Sequence, residues 1–267
     1  GTYLLTSILP RRTAYSRFSS RPPFARQVIA ANAGTLLVVV SVEQPPLHPR
    51  LIDRFLVLAA DGGLAPAICL NKADLPNAAS SERALHLYRD IGVPVHTCSA
   101  STGAGIAELL RSLSGKSAVL VGHSGVGKSS LLNAILPGLS LSTGSVRRAD
   151  GKGRHTTTSS TLYPVDSKTY LIDTPGIREC GLRGVDWSCL LAAFPEIERC
   201  GAECDFRDCT HTGEPGCSVR AALRMGAVSQ PRYESFQDLT RELFAGKCHA
   251  AGGRSGPTFE CVHCGKC

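Results

Sequence analysis

"LNKADLP" runs from Leu70 to Pro76 and "GHSGVGKSS" from Gly122 to Ser130, and the order of these two stretches decides the fold. The second has the Gly-x4-Gly-Lys-Ser spacing of a phosphate-binding loop, with an apolar run before it and a helix-like segment after it. Glycines let backbone N–H groups turn inward around phosphate oxygens, and a helix N-terminus adds its positive end. On this reading Gly122, His123, Ser124, Gly125, Val126, Gly127, Lys128, Ser129 and Ser130 line the phosphates. Lys128 reaches the β- and γ-phosphates and takes a catalytic part, while the Ser129 hydroxyl ligates Mg²⁺.

The first stretch contains Asn71-Lys72-Ala73-Asp74, the pattern of a guanine-reading loop. Guanine offers N1–H and an exocyclic amine, two donors for the single carboxylate of Asp74. Adenine offers a bare N1 acceptor and no such amine, so discrimination of about two to four decades in affinity is expected. Asn71 braces the loop and approaches the purine, and the Lys72 stem covers the ring. "CSA" (Cys98–Ala100), one strand later, resembles the loop whose backbone contacts guanine O6, which adds Ser99 and Ala100.

In ordinary GTPases the phosphate loop comes first. Here the base-reading loops precede it, and "DTPG", starting at Asp173, comes last. Asp173 ends the apolar strand "TYLI" and can hold Mg²⁺ directly or through water, with the Gly176 N–H on the γ-phosphate. Ligand loops of an open parallel sheet gather at the carboxyl ends of the strands whatever their chain order. Domain termini often lie close together, so joining them and cutting elsewhere preserves the constellation. The order therefore reads as a circular permutation. It also leads the switch after Asp173 straight into the C-terminal region.

Strand and helix signals alternate as this requires. "TLLVVVS" (Thr35–Ser41), "APAICLNKAD" ending its strand at Leu70, "VPVHTCSA" and "KSAVLVGHSG" read as parallel strands. Helix-like segments fall at Pro49–Ala60, Ser80–Asp90 and Gly105–Leu113, and "TLYPV" with "KTYLIDT" reads as a hairpin-connected pair. From Leu182 onward strand signals stop, and "QPRYESFQDLTRELFAG" puts Tyr233, Phe236, Leu239, Leu243 and Phe244 on one helical face, as a core stripe. The expected class is α/β: a permuted phosphate-loop GTPase fold with a parallel sheet at 34–182. A short basic β-like segment at 1–33 precedes it, and a mainly helical, metal-binding region at 183–267 follows.

No run of about 18 apolar residues is present, so no membrane span is expected, and the opening residues lack a secretory-signal pattern. Net charge is +7, and it is unevenly placed. Residues 1–33 hold Arg11, Arg12, Arg17, Arg21 and Arg26 with no acid, and "RRADGKGRH" spans Arg147–His155. Both read as surfaces for a phosphate backbone. Eight of the 12 cysteines are clustered: Cys200, Cys204, Cys209 and Cys217 lie with His211, and Cys248, Cys261, Cys264 and Cys267 near the end. Beside a nucleotide loop and without a secretory signal, such clusters bind metal more often than they form disulfides, and a cytoplasmic setting is expected.

"LPRRT", "QVIAAN", "NKADL", "GHSGVGKSSL", "GRHTTT", "DTPGIRE" and "CDFRDCTHTGEPGC", in this order, resemble the RsgA (YjeQ-type) family of circularly permuted GTPases. The resemblance runs from about Leu9 to Arg241. It implies an N-terminal OB-fold, a permuted GTPase domain and a C-terminal zinc domain. About 33 residues are too few for a complete barrel, so the expectation is a truncated OB-like segment. It further implies GTP hydrolysis to GDP and phosphate in late maturation of the 30S ribosomal subunit, contact with 16S rRNA, and stimulation by that subunit. Cofactors would be GTP/GDP, Mg²⁺ and one structural Zn²⁺, held by Cys204, Cys209, His211 and Cys217 in Cys-x4-Cys-x-His-x5-Cys spacing. A monomer is expected. Cys248, Cys261, Cys264 and Cys267 are expected in a loose tail rather than a second zinc site.

After the glycine of DxxG, small GTPases usually place a glutamine that orients water; here Ile177 follows Gly176 and cannot. The family suggests His155 as the catalytic replacement, with rRNA contact as its equal alternative. One of Thr156, Thr157 or Thr158 should approach Mg²⁺, and Thr157 is our choice. Two other functions remain open on sequence: a GTP-gated RNA-binding scaffold with negligible turnover, and a permuted GTPase of large-subunit assembly.

Overall fold

The computed structural model describes residues 6–18, 26–141, 160–174 and 181–248. Its organising element is the strand β3 (Thr35–Ser41), whose seven residues are all buried. Three consecutive valines and two leucines suit a strand covered on both faces. Leu36, Val38 and Val40 point into one core and Leu37 and Val39 into the other, as the two-residue period of a strand dictates.

Around β3 lie β4 (Ala65–Asn71), β5 (Val95–Thr97), β6 (Ser117–Val121), β7 (Thr161–Pro164) and β8 (Tyr170–Asp173) in one six-stranded sheet of order β5-β4-β3-β6-β8-β7. All neighbours are parallel except the β7–β8 hairpin. On one face pack α4 (Ile106–Leu113) and α5 (Lys128–Ile135), whose Leu109, Leu113, Leu131 and Leu132 are buried. On the other packs α1 (Pro49–Gly62), with Pro at its first turn and a left-handed Gly63 as C-cap. The expected helix at Ser80–Asp90 is two short ones, α2 (Ala78–Ala84) and α3 (His86–Asp90), broken at Leu85. Leu85 and Tyr88 are both fully buried, and Tyr88 reaches α1 by donating to the Pro49 carbonyl at 2.9 Å.

An antiparallel pair, β1 (Ala14–Phe18) and β2 (Arg26–Ala31), packs on the C-terminal end of α1. Any side chain at Gly62 would collide with the Ala14 carbonyl, so this approach depends on glycine. Among the described residues, four helices follow the sheet: α6 (Trp187–Ala192), α7 (Pro195–Gly201), α8 (Ser218–Arg224) and α9 (Gln230–Cys248). No strand follows β8 among the described residues. Phe194, Ile197, Phe236, Leu239 and Leu243 extend the α1-side core into this region. Phe244 departs from the expected stripe: it is 37% exposed, at the margin of the α9 face, tilted against Trp187 with ring centroids 5.7 Å apart.

The α1–α9 contact is also polar. Arg232, 2% exposed, donates to Asp53 Oδ1 at 2.6 Å, to Glu196 Oε1 at 2.7 Å and to the Ala193 carbonyl at 2.7 Å. Its guanidinium lies 4.0 Å from the centre of the Phe194 ring, and Tyr88 donates to Asp53 at 2.8 Å. Burial pushes the Asp53 carboxyl up, and Arg232 opposes that. At the rim, Arg54 pairs with both oxygens of Glu242, which also accepts from the Leu182 N–H at 3.1 Å.

Candidate functional site

The carboxyl ends of β3, β4, β5, β6 and β8 bring together loops that are far apart in sequence. Asn71 ends β4 and is 1% exposed. Its amide donates to the Val126 carbonyl at 3.0 Å, and its oxygen accepts from the Ala100 N–H at 3.1 Å. One side chain thus ties the Gly122–Ser130 loop to the Cys98–Ala100 loop. Gly127, at φ 93°, leaves room for it: a methyl there would strike the Asn71 amide.

Asp74 stands in the open beside this junction. Ser99, itself buried, donates to its Oδ1 at 2.6 Å, and that hydrogen bond is the main reason the carboxyl titrates below its usual range. An exposed, ionised and oriented carboxylate is an acceptor ready for two N–H donors. Ala73 N–H donates to the Cys98 carbonyl at 3.0 Å, which fixes the spacing of the two loops. Lys72 sits at φ 61°, uncommon for a residue with a side chain, and its ammonium bonds the carbonyls of Glu43 (3.2 Å) and Gln44 (2.5 Å).

The glycine loop wraps the N-terminus of α5. Gly122 (φ 144°) passes so close to Val39 that any side chain would meet its carbonyl, while Gly125 lies at φ 87°. Lys128 folds back across the loop, donating to the carbonyls of Gly122 at 2.9 Å and His123 at 3.3 Å. Ser129 and Ser130 follow in the first turn of α5. Burial lowers the Lys128 pKa and raises that of Asp173, and each opposes the other's shift as a counter-charge. Asp173 ends β8 beside Leu120 of β6, and its neighbour Thr174 is anchored to the Leu120 carbonyl at 2.7 Å. Asp173 Oδ1 is buried with no hydrogen-bond partner. An orphaned carboxylate oxygen facing a phosphate-type loop suits Mg²⁺ or one of its waters. His155, Thr157 and Gly176 lie outside the described residues, as do Thr156, Thr158, Ile177, Cys261, Cys264 and Cys267.

A second cluster lies among the C-terminal helices. The ligand atoms of Cys204, Cys209, His211 and Cys217 all lie within 4.8 Å of one another. Nδ1 of His211 is 3.5 Å from the Cys204 sulfur and 3.7 Å from that of Cys217. A tetrahedron with Zn–S of about 2.3 Å and Zn–N of about 2.0–2.1 Å has S···N edges of about 3.6 Å. The donor set and spacing therefore fit Zn²⁺. Burial is the largest influence raising Cys209, to about 12, and the neighbouring thiols add to it. Ionising this cluster requires a compensating cation.

Supports of this cluster carried no recognisable signal in sequence. Glu214 accepts from the N–H groups of Thr210 (2.7 Å), Thr212 (3.0 Å) and Gly213 (3.0 Å), so it organises the loop that carries His211. Burial pushes its carboxyl up, but these donors and the Thr210 hydroxyl outweigh that and hold it at about 2. Tyr233 donates to the His211 carbonyl at 2.7 Å. His211 itself is at φ 62°, with its ring edge against Gly201. Cys200, which stood near the cluster in sequence, is outside the four-residue set. No helix among the described residues is long and apolar enough to cross a membrane.

Comparison with known proteins follows the same lines. The family model described as RsgA GTPase matches residues 8–183. The small ribosomal subunit biogenesis GTPase RsgA of Gemmatimonas aurantiaca is 43% identical over 245 residues, covering 91% of this chain and 79% of that protein. Its namesake in Pseudomonas fluorescens is 40% identical over 246 residues, 91% of this chain and 71% of the other. Among solved structures, YjeQ from Thermotoga maritima aligns with a TM-score of 0.69 at 33% identity, covering 90% of this chain and 78% of that one. YloQ, described as a circularly permuted GTPase, aligns at 0.66 and 27% identity, over 89% and 82%.

Proposed function

The chain belongs to the RsgA GTPase family, and from that premise we propose how its own residues bind and hydrolyse GTP in small-subunit assembly. The observation that carries the proposal is Asn71, which holds the phosphate loop and the Ser-Ala loop in one hydrogen-bonded unit beside Asp74. Asp74 reads guanine N1–H and the exocyclic amine, the Lys72 stem covers the ring, and backbone N–H groups near Ser99 and Ala100 face O6. Backbone N–H groups of the Gly122–Gly127 loop receive the phosphates. Lys128 leaves the Gly122 and His123 carbonyls to meet the β- and γ-phosphates, whose negative charge offsets the burial that lowers its pKa.

Guanine nucleotide and Mg²⁺ come with the family. Ser129 and Asp173 would hold Mg²⁺, with Thr157 completing the set; the ion would supply charge neutralisation on the transferring phosphoryl group. The position after Gly176 is Ile177, which has no hydrogen-bonding group to orient water. Intrinsic turnover is therefore slow, and His155 or a group from the partner completes the site. Cys204, Cys209, His211 and Cys217 hold one structural zinc.

Residues 34–182 form the GTPase domain, 1–33 an OB-like segment and 183–267 the zinc-binding domain. Relatives bear the name of small-subunit biogenesis GTPases, so the partner is the 30S subunit and the site of action the cytoplasm. Basic residues at Arg11, Arg12 and Arg17 and at Arg147–His155 contact its 16S rRNA, and the chain acts as a monomer. The names of the relatives favour this reading over a role in large-subunit assembly. The test is phosphate release from GTP with and without purified small subunits. Stimulation by small subunits alone supports the proposal; nucleotide-dependent binding without turnover makes the protein a scaffold.

A further inference from the structure

One loop at the nucleotide site has no assignment so far: the β3–α1 connection, "SVEQPPL" from Ser41 to Leu47. It lies between the two nucleotide loops. Val42 N–H donates to the Asn71 carbonyl at 3.2 Å, and the Ser41 hydroxyl closes the turn onto the Pro45 carbonyl at 2.7 Å. A methyl built on Gly125 would come within 3.5 Å of Pro45 and 3.7 Å of the Gln44 carbonyl, so the connection abuts the phosphate loop. Gln44 lies at φ 53° and Lys72, opposite it, at φ 61°. Two residues with side chains in the left-handed region face each other, a conformation that persists only where its surroundings hold it. What the two conformations achieve is visible. They turn the Glu43 and Gln44 carbonyls onto the Lys72 ammonium. The loop is tied from outside by Asn77, whose side-chain amide donates to the Glu43 carboxylate.

We propose that Glu43 and Asn77 are positioning residues for guanine nucleotide: together they lock the β3–α1 loop so that its carbonyls hold Lys72 as one wall of the purine slot. This rests on the base-reading role given above to the Asn71–Asp74 loop. A lysine side chain has large rotamer freedom to lose when it is ordered. Anchoring its far end before the nucleotide arrives removes that ordering cost from binding. Because the wall acts on ground state and transition state alike, the brace sets affinity and leaves turnover at saturation alone.

The experiment exchanges the donor and the acceptor. Asn77→Asp sets two carboxylates against each other. Adding Glu43→Gln restores one donor and one acceptor with the roles reversed. GDP and GTP affinities, and turnover at saturating GTP, are measured for the parent, both single variants and the double variant. The parent is also measured with XTP, which tests the base reading separately. Asn77→Asp is expected to weaken GDP and GTP binding about tenfold with kcat unchanged, and the double variant to return within about twofold of the parent. Binding by Asn77→Asp equal to the parent, a loss that the second substitution does not repair, or a change in kcat would each overturn the brace. A parent that prefers XTP to GTP would instead overturn the base reading.

Discussion

Asn71→Ala is the substitution whose consequence follows most directly from the geometry. The side chain is 1% exposed and joins Val126 of the phosphate loop to Ala100 of the base loop. Truncation leaves the Val126 carbonyl and the Ala100 N–H without partners. A buried polar group stranded this way costs about 1–3 kcal/mol. Ala100 is only half-buried and recovers part of its share from water, so the total is about 2–4 kcal/mol. The affected groups are the ones that must be in register for nucleotide to bind. Most of the cost therefore appears in affinity, as a rise in Kd of about thirty- to seven-hundredfold for GDP and GTP alike. Equilibrium binding of a fluorescent GDP analogue, with urea unfolding of the nucleotide-free protein in parallel, separates affinity from stability. Binding within threefold of the parent, with unchanged unfolding, would refute the reasoning that this one amide couples the two loops.

Three further outcomes are expected. Cys209→Ser removes one thiolate from the Cys204–Cys217 cluster; metal analysis should find zinc lost and circular dichroism should show reduced helix content. Gly201→Ala is a subtler test of the same centre. The new methyl would sit 2.8 Å from Nε2 and 2.9 Å from Cε1 of His211. The ring must move, and zinc affinity in competition with a chromophoric chelator should fall at least about tenfold. Asp53→Ala takes the 2.6 Å partner from buried Arg232, which keeps Glu196 at 2.7 Å, and urea unfolding should show a loss of about 1–3 kcal/mol; a loss below about 0.5 kcal/mol would contradict a structural role for that pair.

The sheet was legible because its strands are short apolar runs, and β4, β5, β6 and β8 each lead into a loop of restrictive chemistry. β3 and β8 could be read almost to their ends, since a strand buried on both faces leaves little choice of residue. The break at Leu85 was not legible. A helical pattern says which residues turn inward, but the split that buries both Leu85 and Tyr88 is set by what α1 presents to them. Phe244 was misplaced for a related reason: periodicity assigned it to the buried face, while Trp187 meets it from the side at the edge. The residues proposed to meet the nucleotide announce themselves by type and spacing. Some of those that hold them do so through backbone atoms, as Glu43 and Gln44 do for Lys72, and a carbonyl leaves no trace in a sequence. Glu214 is a similar case: it acts through a fan of N–H donors that exists only once the Thr210–Gly213 turn has formed.

Convergence of Asp74 and Lys128 on a single nucleotide is open to titration calorimetry of parent and Asp74→Asn with GTP, XTP and ATP. The parent should bind GTP at least about a hundredfold more tightly than ATP or XTP, and Asp74→Asn should shift the preference toward XTP, whose 2-oxo group accepts a hydrogen bond. Unchanged GTP preference in the variant, or ATP competing equally in the parent, would contradict it.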